Sequence, residues 1–212
     1  MGKCMSTSSL SAPSNLIPAT PEFSPLATCL VIREKALEMF AEHGFHAVSL
    51  RKLAGAIGIM PGSLYCHIKN KNALLFELIE DHEDDLLETL KAAIQNSSPR
   101  EQLRAYIWAG LTYLNQNSKH AIVAKYETRH LQKEQQACIK KIKNKQCVLL
   151  RNIIKNCVKN QEKRNQEELQ ILCQCTQLII ENFTDCHSRD PTTTLDTLYN
   201  RICCLVMNSL AR

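Results

Sequence analysis

The sequence predicts an all-α protein with about nine helices. Three observations favour this fold class. Only 5% of the 212 residues are aromatic, and 6 Gly and 7 Pro are too few for the many turns of a β-barrel or β-sandwich. No segment alternates apolar and polar residues as a strand does, whereas apolar residues recur three and four positions apart along most of the chain.

Turn and capping residues divide the first third of the chain into short helices. Gly44 and Gly58 each follow an amphipathic stretch, as expected of a left-handed residue after a helix. Ser49 can cap the second helix, and Pro61 suits the first turn of the third. Two short helices around a tight glycine-containing turn predict a helix-turn-helix over residues 49–68. The predicted helices are 30–43, 50–57 and 61–67.

Six longer helices are predicted after this unit. One of them begins at a capping box in which Ser98 precedes Glu101 by three residues, with Pro99 at the first helical position. The six helices are 70–94, the helix that starts at Ser98, 120–130, 132–159, 167–185 and 191–210. We expect an N-terminal three-helix head over residues 26–88 and a second helical domain over residues 89–212.

The composition and the N-terminal segment indicate the cellular compartment of the protein. The chain has 26 Lys and Arg against 21 Asp and Glu, so its net charge is +5. No window approaches the roughly 18 uncharged apolar residues of a membrane helix. Residues 1–25 are rich in Ser, Thr and Pro and lack the apolar core of a secretion signal, so we expect a disordered leader and a cytoplasmic protein with no membrane partner.

Charge is distributed unevenly along the chain. Residues 129–164 contain eleven Lys and Arg against two Glu, whereas residues 77–88 contain seven acids and no Lys or Arg. The basic helix can show water a cationic face or lie opposite the acidic helix. Alternatively it provides a second nucleic-acid contact or a pocket for an anionic ligand.

The segment 48–75 resembles the DNA-binding signature of the tetracycline-repressor (TetR) family of bacterial transcriptional regulators. The resemblance covers about residues 26–88. The residues that match the family pattern are Ser49, Leu53, Ala54, Gly58, Leu64, Tyr65, His67, Lys71, Leu74 and Leu75.

The same residues suit a helix that enters the major groove of DNA. Small residues at the start of the third helix allow close approach, and an Arg side chain pairs with the O6 and N7 atoms of guanine. The resemblance implies phosphate contacts by Ser49, Tyr65, His67 and Lys71 and a base contact by Arg51. Alternatively Tyr65 covers the head core, His67 is an ordinary surface residue, and Arg51 is merely solvated. The full predicted DNA-binding set is Ser49, Arg51, Lys52, Pro61, Gly62, Ser63, Tyr65, His67 and Lys71.

The resemblance also implies a ligand-responsive repressor. The sequence contains no Ser-His-Asp arrangement, glycine-rich phosphate loop or standard metal-site spacing, so we expect no enzyme activity and no cofactor. Such a repressor binds a near-palindromic operator as a homodimer. The last two helices are candidates for the dimer interface, or they close the monomer's own core. A small-molecule effector would lie among helices 98–158, where Tyr106, Trp108, Tyr113 and Tyr126 are candidate contacts or simply core residues.

The eleven cysteines suggest a reduced protein. The pair Cys173 and Cys175 and the pair Cys203 and Cys204 have spacings that match no standard zinc site. Most of the cysteines lie among Leu, Ile and Val, where a free thiol behaves as a small apolar group. The alternative function is a thiol- or metal-responsive regulator. Its candidate sensors are Cys66, Cys138, Cys147, Cys203 and Cys204.

Overall fold

The computed structural model describes residues 25–95, 97–158, 165–182 and 194–211. Within these ranges the chain forms nine α-helices and one 3₁₀ turn, with no strand, so the predicted all-α class is confirmed. No helix in these ranges is long and apolar enough to cross a membrane. The helices are α1 (Pro25–His43), α2 (Leu50–Ile57), α3 (Pro61–Leu64), α4 (Lys71–Ala93), α5 (Pro99–Gln116), α6 (Ser118–Glu127), α7 (Lys133–Cys157), α8 (Gln166–Glu181) and α9 (Leu195–Ala211).

Local sequence signals fix most helix ends as predicted. Ser98 and Glu101 form the predicted reciprocal capping box at the start of α5. Gly44 and Gly58 adopt φ values of +80° and +78°, which residues with a side chain rarely adopt. The Asn70 side chain accepts a hydrogen bond from the Ala73 N–H and caps α4.

Several boundaries differ from the prediction. Helix α1 begins at Pro25, five residues before the predicted start. The predicted helix 120–130 ends at Glu127, and a 3₁₀ turn (Thr128–His130) follows it. The predicted leader lies outside the described residues except for Pro25, as does the predicted link at 186–190.

A first core holds α1, α2 and α3 against the N-terminal half of α4. Its centre contains Phe40, Leu53, Leu64 and Leu75, all fully buried. Residues of α6 and the first half of α7, among them Ile139, also pack into this core. The head is therefore fixed to the rest of the protein by buried side chains.

A second core lies between the C-terminal half of α4 and helices α5, α7, α8 and α9. It includes Leu90, Leu103, Ile107, Ile154 and Val206. Helix α4 runs without a break through both cores, so a boundary at residue 88 stays a prediction. A movement of α4 in the second core would therefore also move the part of α4 against which the head helices pack.

Polar contacts also join the head to α4 and to the 3₁₀ turn. His46 Nε2 lies 2.9 Å from His130 Nδ1, and the Asn72 side chain donates to the His130 carbonyl oxygen at 3.2 Å. Arg33 of α1 pairs with Glu77 of α4 at 3.0 Å. These contacts fix the position of α1 and of the turn that follows it.

Candidate functional site

The predicted helix-turn-helix is formed by α2, a turn at residues 58–60 and α3. The Ser49 hydroxyl oxygen accepts a hydrogen bond from the Lys52 N–H at 3.1 Å and caps α2, as predicted. Leu53 and Leu64 are fully buried and attach α2 and α3 to the head core. Helix α3 therefore lies at the surface in a position that two buried leucines define.

The surface of α2 and α3 is open to a large partner. Gly62 and Ser63 are exposed, and no atom lies within 4 Å of where a Gly62 side chain would begin. Arg51 and Lys52 are exposed on α2, and Tyr65 is 60% exposed. Pro61 and His67 are half-buried. The predicted DNA-binding groups are thus accessible together at one end of the head.

Tyr65 and His67 belong to the turn after α3 and not to α3 itself, which corrects the prediction. The N–H groups of Tyr65, Cys66 and His67 donate to carbonyl oxygens three residues earlier, at 3.3, 3.2 and 3.0 Å. Such i→i+3 bonds tighten the chain after a helix. The turn allows Leu64 and Ile68 to be buried together while Tyr65 remains exposed.

Lys71 has partners that the sequence did not reveal. Its ammonium donates to the carbonyl oxygens of Phe45 and Val48, both at 2.7 Å, and lies 4.0 Å from the centre of the Phe45 ring. Burial lowers the pKa of Lys71, and the Glu127 carboxylate opposes this shift. Two of the three ammonium donors are therefore occupied. A phosphate contact through the remaining N–H of Lys71 stays a prediction.

The helix-turn-helix is embedded in a segment without acids. No Asp or Glu occurs from residue 43 to residue 76, whereas Arg51, Lys52, Lys69 and Lys71 all lie in it. A cluster of cations without compensating carboxylates attracts a phosphate backbone. This pattern is visible in the sequence alone.

A cavity of about 70 Å³ lies in the second core, among α4, α5, α6, α7 and α8. Part of its wall is apolar and includes Leu86, Leu90, Leu114 and Ile180. Gly110 of α5 also lines it, and a Cβ atom there would lie 3.1 Å from Ile180 Cγ2. The missing side chain of Gly110 therefore allows α5 and α8 to approach each other.

Charged residues from three helices meet at this cavity. The ammonium of Lys143 (α7) lies 3.3 Å from a carboxylate oxygen of Glu83 (α4) and 3.6 Å from one of Glu181 (α8). The Gln146 side chain donates to Glu83 at 3.0 Å. Burial alone would lower the pKa of Lys143, but the two carboxylates outweigh it and raise that pKa. Burial raises the pKa of Glu83. The cluster links α4 to α7 and α8.

His82 supplies an unpaired polar atom beside the cavity. The residue is 3% exposed and lines the cavity, and its Nδ1 atom is buried with no hydrogen-bond partner among the described residues. Burial, with smaller effects of His120 and Lys143, lowers the pKa of His82 to about 3. The imidazole is therefore neutral at pH 7. A ligand group that pairs with Nδ1 would relieve a desolvation cost of about 1–3 kcal/mol.

Tyr106 is the predicted pocket residue that lines the cavity. It is fully buried, and its hydroxyl lies 3.2 Å from the Gln146 carbonyl oxygen and 3.1 Å from Gln177 Oε1, to which it donates. The hydroxyl thus connects α5 to α7 and α8. This geometry combines core packing with a polar group beside the cavity.

The other three aromatic candidates do not line this cavity, and their role as effector contacts stays a prediction. Trp108 is two residues from Tyr106 and therefore on the opposite side of α5, where it meets Tyr199 edge-on at 5.0 Å. Tyr113 lines a separate cleft beside α1 and donates to a backbone carbonyl of α4 at 3.2 Å. Tyr126 is exposed on α6.

The cysteines offer little support for the thiol-responsive alternative. All cysteines in the described ranges are free, and Cys66, Cys138 and Cys204 are exposed. Burial raises the pKa of the Cys147 and Cys203 thiols, which disfavours the reactive thiolate. Within the same ranges no three His, Cys, Asp or Glu side chains are grouped to hold a metal ion.

Both halves of the chain match models of protein families. Residues 32–78 match the model described as bacterial regulatory proteins of the tetR family. Residues 96–177 match the model described as the tetracyclin repressor-like C-terminal domain. The first match contains the helix-turn-helix, and the second contains α5–α7 and most of α8.

Two regulators of known name are similar in sequence. The HTH-type transcriptional repressor KstR2 of Mycolicibacterium smegmatis is 27% identical over 117 residues, which are 55% of this chain and 57% of that protein. The fatty acid metabolism regulator protein of Bacillus subtilis is 28% identical over 99 residues, 46% of this chain and 51% of that one. The alignments therefore span about half the length of these relatives.

Solved structures of similar shape cover nearly the whole fold. AibR, solved with isovaleryl coenzyme A and operator DNA, has a TM-score of 0.73 at 21% identity and covers 82% of this chain and 95% of that one. FadR of Bacillus subtilis, solved with stearoyl-CoA, has a TM-score of 0.67 at 22% identity, with coverages of 84% and 96%. At these identities the likeness shows the fold.

Proposed function

This chain belongs to the TetR family of bacterial regulatory proteins, and from this premise we propose that it is a transcriptional repressor that binds double-stranded DNA. The main support is the acid-free segment 43–76, which exposes Arg51, Lys52 and Tyr65 around an open helix-turn-helix. Exposed cations attract the negatively charged phosphate backbone of DNA. An exposed recognition helix can enter the major groove.

The proposed contacts divide into groups that approach DNA and groups that distinguish sequence. Gly62 and Ser63 are small enough to bring α3 into a groove about 12 Å wide. The Tyr65 hydroxyl donates a hydrogen bond to a phosphate oxygen, and Arg51 contacts a base edge. The proposed interface is completed by Ser49, Lys52, Pro61 and His67, with Lys71 supporting the α1–α2 turn.

The proposed repressor is a homodimer in which α8 and α9 pair with those of a second copy. One face of each helix packs into the protein's own core, for example through Cys173 and Ile202. Another face stays uncovered: Leu178 of α8 is 56% exposed and Leu205 of α9 is 62% exposed. Two helices from each copy would bury these residues in a four-helix bundle. Two heads would then contact two half-sites of a near-palindrome.

The proposed effector is an acyl thioester of coenzyme A that binds in the cavity. AibR and FadR share the fold and were solved with such thioesters, and the cavity combines apolar walls with the unpaired Nδ1 of His82. Helix α4 lines the cavity through Leu86 and holds the head through Leu75. A ligand that displaces α4 would move the head, so ligand and operator would weaken each other's binding.

Selection of genomic DNA fragments by the purified protein tests this function. We expect enrichment of a near-palindromic sequence bound by two chains, as measured by fluorescence anisotropy and light scattering. Adding butanoyl-CoA or palmitoyl-CoA should lower the affinity for that sequence. Failure to bind any double-stranded fragment at low ionic strength would contradict the proposal.

A further inference from the structure

A second space, larger and more open than the cavity, lies between α6 and α7. This α6–α7 groove has a volume of about 610 Å³, and Lys125, Lys133, Lys140 and Lys143 line it. Glu181 is the one acid among its described lining residues. Lysines therefore outnumber acids among the described residues of the groove.

The lysines of α7 lie on one face of the helix. Lys140 is seven residues after Lys133, and Lys143 is three residues after Lys140, so helical geometry places the three side chains in a row. Lys143 is paired with Glu83 and Glu181. Lys133 and Lys140 are exposed, and no described carboxylate oxygen lies within 4 Å of either ammonium. Two cations without a counterion among the described residues suit a ligand with several negative charges.

The groove and the cavity share part of their walls. Ala124, Lys125, Lys143 and Glu181 line both spaces. The two spaces are therefore adjacent, and the ion pair of Lys143 and Glu181 lies beside both of them. The ligand that fits both spaces has a polyanionic end and an apolar end.

We propose that the α6–α7 groove binds the phosphate groups of an acyl thioester of coenzyme A, with the acyl group in the cavity. This inference rests on the proposed effector and assigns a site to its charged end. A free fatty acid has one carboxylate and would not engage Lys133 and Lys140 together. The 70 Å³ cavity is less than half of the about 150 Å³ that holds benzene in an engineered protein, so the acyl group enters only when the side chains around the cavity move apart.

Calorimetric titration of the full chain with butanoyl-CoA and with coenzyme A tests the groove. Replacing both unpaired lysines (Lys133→Ala with Lys140→Ala) should weaken both ligands by about tenfold or more, because each lysine contributes a charge-assisted contact to phosphate. The matched control is Lys141→Ala with Lys145→Ala, which removes the same charge from exposed positions of α7 outside the groove. The control should bind both ligands like the unmodified chain.

Three results with the thioesters and DNA, and a fourth with a phospholipid, would overturn the proposal. One is the absence of binding by butanoyl-CoA and palmitoyl-CoA; another is an equal loss of affinity in the control pair. The third is a loss of DNA affinity in the Lys133→Ala, Lys140→Ala variant without ligand, which would make the groove a nucleic-acid surface. Lysophosphatidic acid is a further probe: if it binds more tightly than butanoyl-CoA with the same lysine dependence, the phosphate ligand is a phospholipid and the coenzyme A assignment fails.

DNA-binding measurements on the same preparations separate this inference from the proposed function. A chain that binds its operator but no thioester contradicts only the groove assignment. A chain that binds the thioester in a lysine-dependent way but no DNA contradicts the repressor and leaves the groove assigned. Circular dichroism of each variant confirms that it is folded.

Discussion

The ammonium of Lys143 lies 3.3 Å from the carboxylate of Glu83 and thereby joins α7 to the helix that supports the head. The same ammonium lines the α6–α7 groove, 3.6 Å from Glu181. A phosphate that reaches Lys143 would compete with Glu83 for it. The ion pair thus connects the proposed ligand site directly to α4.

Replacing Lys143 by Met should destabilise the fold because it leaves Glu83 and Glu181 without their cation. We expect a loss of about 2 kcal/mol, less than the 3–5 kcal/mol typical of a fully buried pair, because 35% of the lysine side chain is exposed. Urea unfolding measures this loss. Adding Glu83→Gln and Glu181→Gln should restore most of the stability; an unchanged deficit in the triple variant would contradict the explanation.

The folded protein should lose stability on acidification through His82. Its pKa is about 3 in the fold, whereas an unfolded His titrates near 6.5. The stabilisation is therefore complete above pH 6.5 and decreases as the pH falls toward 3, by up to about 1.4 kcal/mol per pH unit. The urea concentration at the unfolding midpoint, measured between pH 7.5 and pH 4.5, should change less with pH in the His82→Phe variant than in the unmodified protein. The control variant His43→Gln, at an exposed position, should show the same pH dependence of stability as the unmodified protein.

Lys71→Met should lower the stability of the head. Its ammonium holds the carbonyl oxygens of Phe45 and Val48, and losing these charge-assisted bonds costs about 1–3 kcal/mol. Thermal unfolding measures the change. Lys69→Met, which removes an exposed charge two residues away, should change stability by less than about 0.5 kcal/mol. Equal effects of the two variants would show that Lys71 has no positioning role.

Arg51→Ala should reduce affinity for the selected operator by about 1–3 kcal/mol and relax the preferred sequence at one base pair. Its side chain is exposed, so the free energy of unfolding should not change. Arg51→Lys keeps the charge but loses the planar pair of donors, and it should also relax the sequence preference. Fluorescence anisotropy with the operator and a scrambled duplex separates the two effects. A uniform loss on both duplexes would assign Arg51 to phosphate instead.

Leu178→Glu with Leu205→Glu should yield a folded monomer with weak operator binding. Both leucines are exposed in the single chain, so charges there cost little until a second copy covers them. Sedimentation velocity measures the mass. Ile171→Glu with Ile179→Glu tests the rest of the same face of α8. If the first variant remains dimeric, α8 and α9 are not the interface.

The helix-turn-helix and the start of α5 could be predicted because their signals are local. Ser49, Gly58 and Ser98 act on backbone groups within four residues, and those contacts occur as the sequence indicated. The end of α3 was less predictable. Whether Tyr65 continues the helix depends on the burial of Ile68 against the head core, which is a tertiary effect.

The cavity could not be predicted because its polar wall is assembled from distant segments. Glu83 and Gln146 are 63 residues apart, and Tyr106 and Gln177 are 71 residues apart. No spacing rule relates such pairs in a single sequence. The sequence alone does show that Tyr106 and Trp108 cannot face the same cavity, because two residues along a helix correspond to a rotation of about 200°.

Gly110 influences the size of the cavity in the second core. A single methyl group there would press on Ile180 Cγ2 at 3.1 Å and force α5 and α8 apart or Ile180 to another rotamer. Mutation at this one codon would therefore alter the size of the cavity while leaving the surface of α3 untouched. In the proposed repressor, selection of the effector and selection of the operator would then depend on separate positions of the chain.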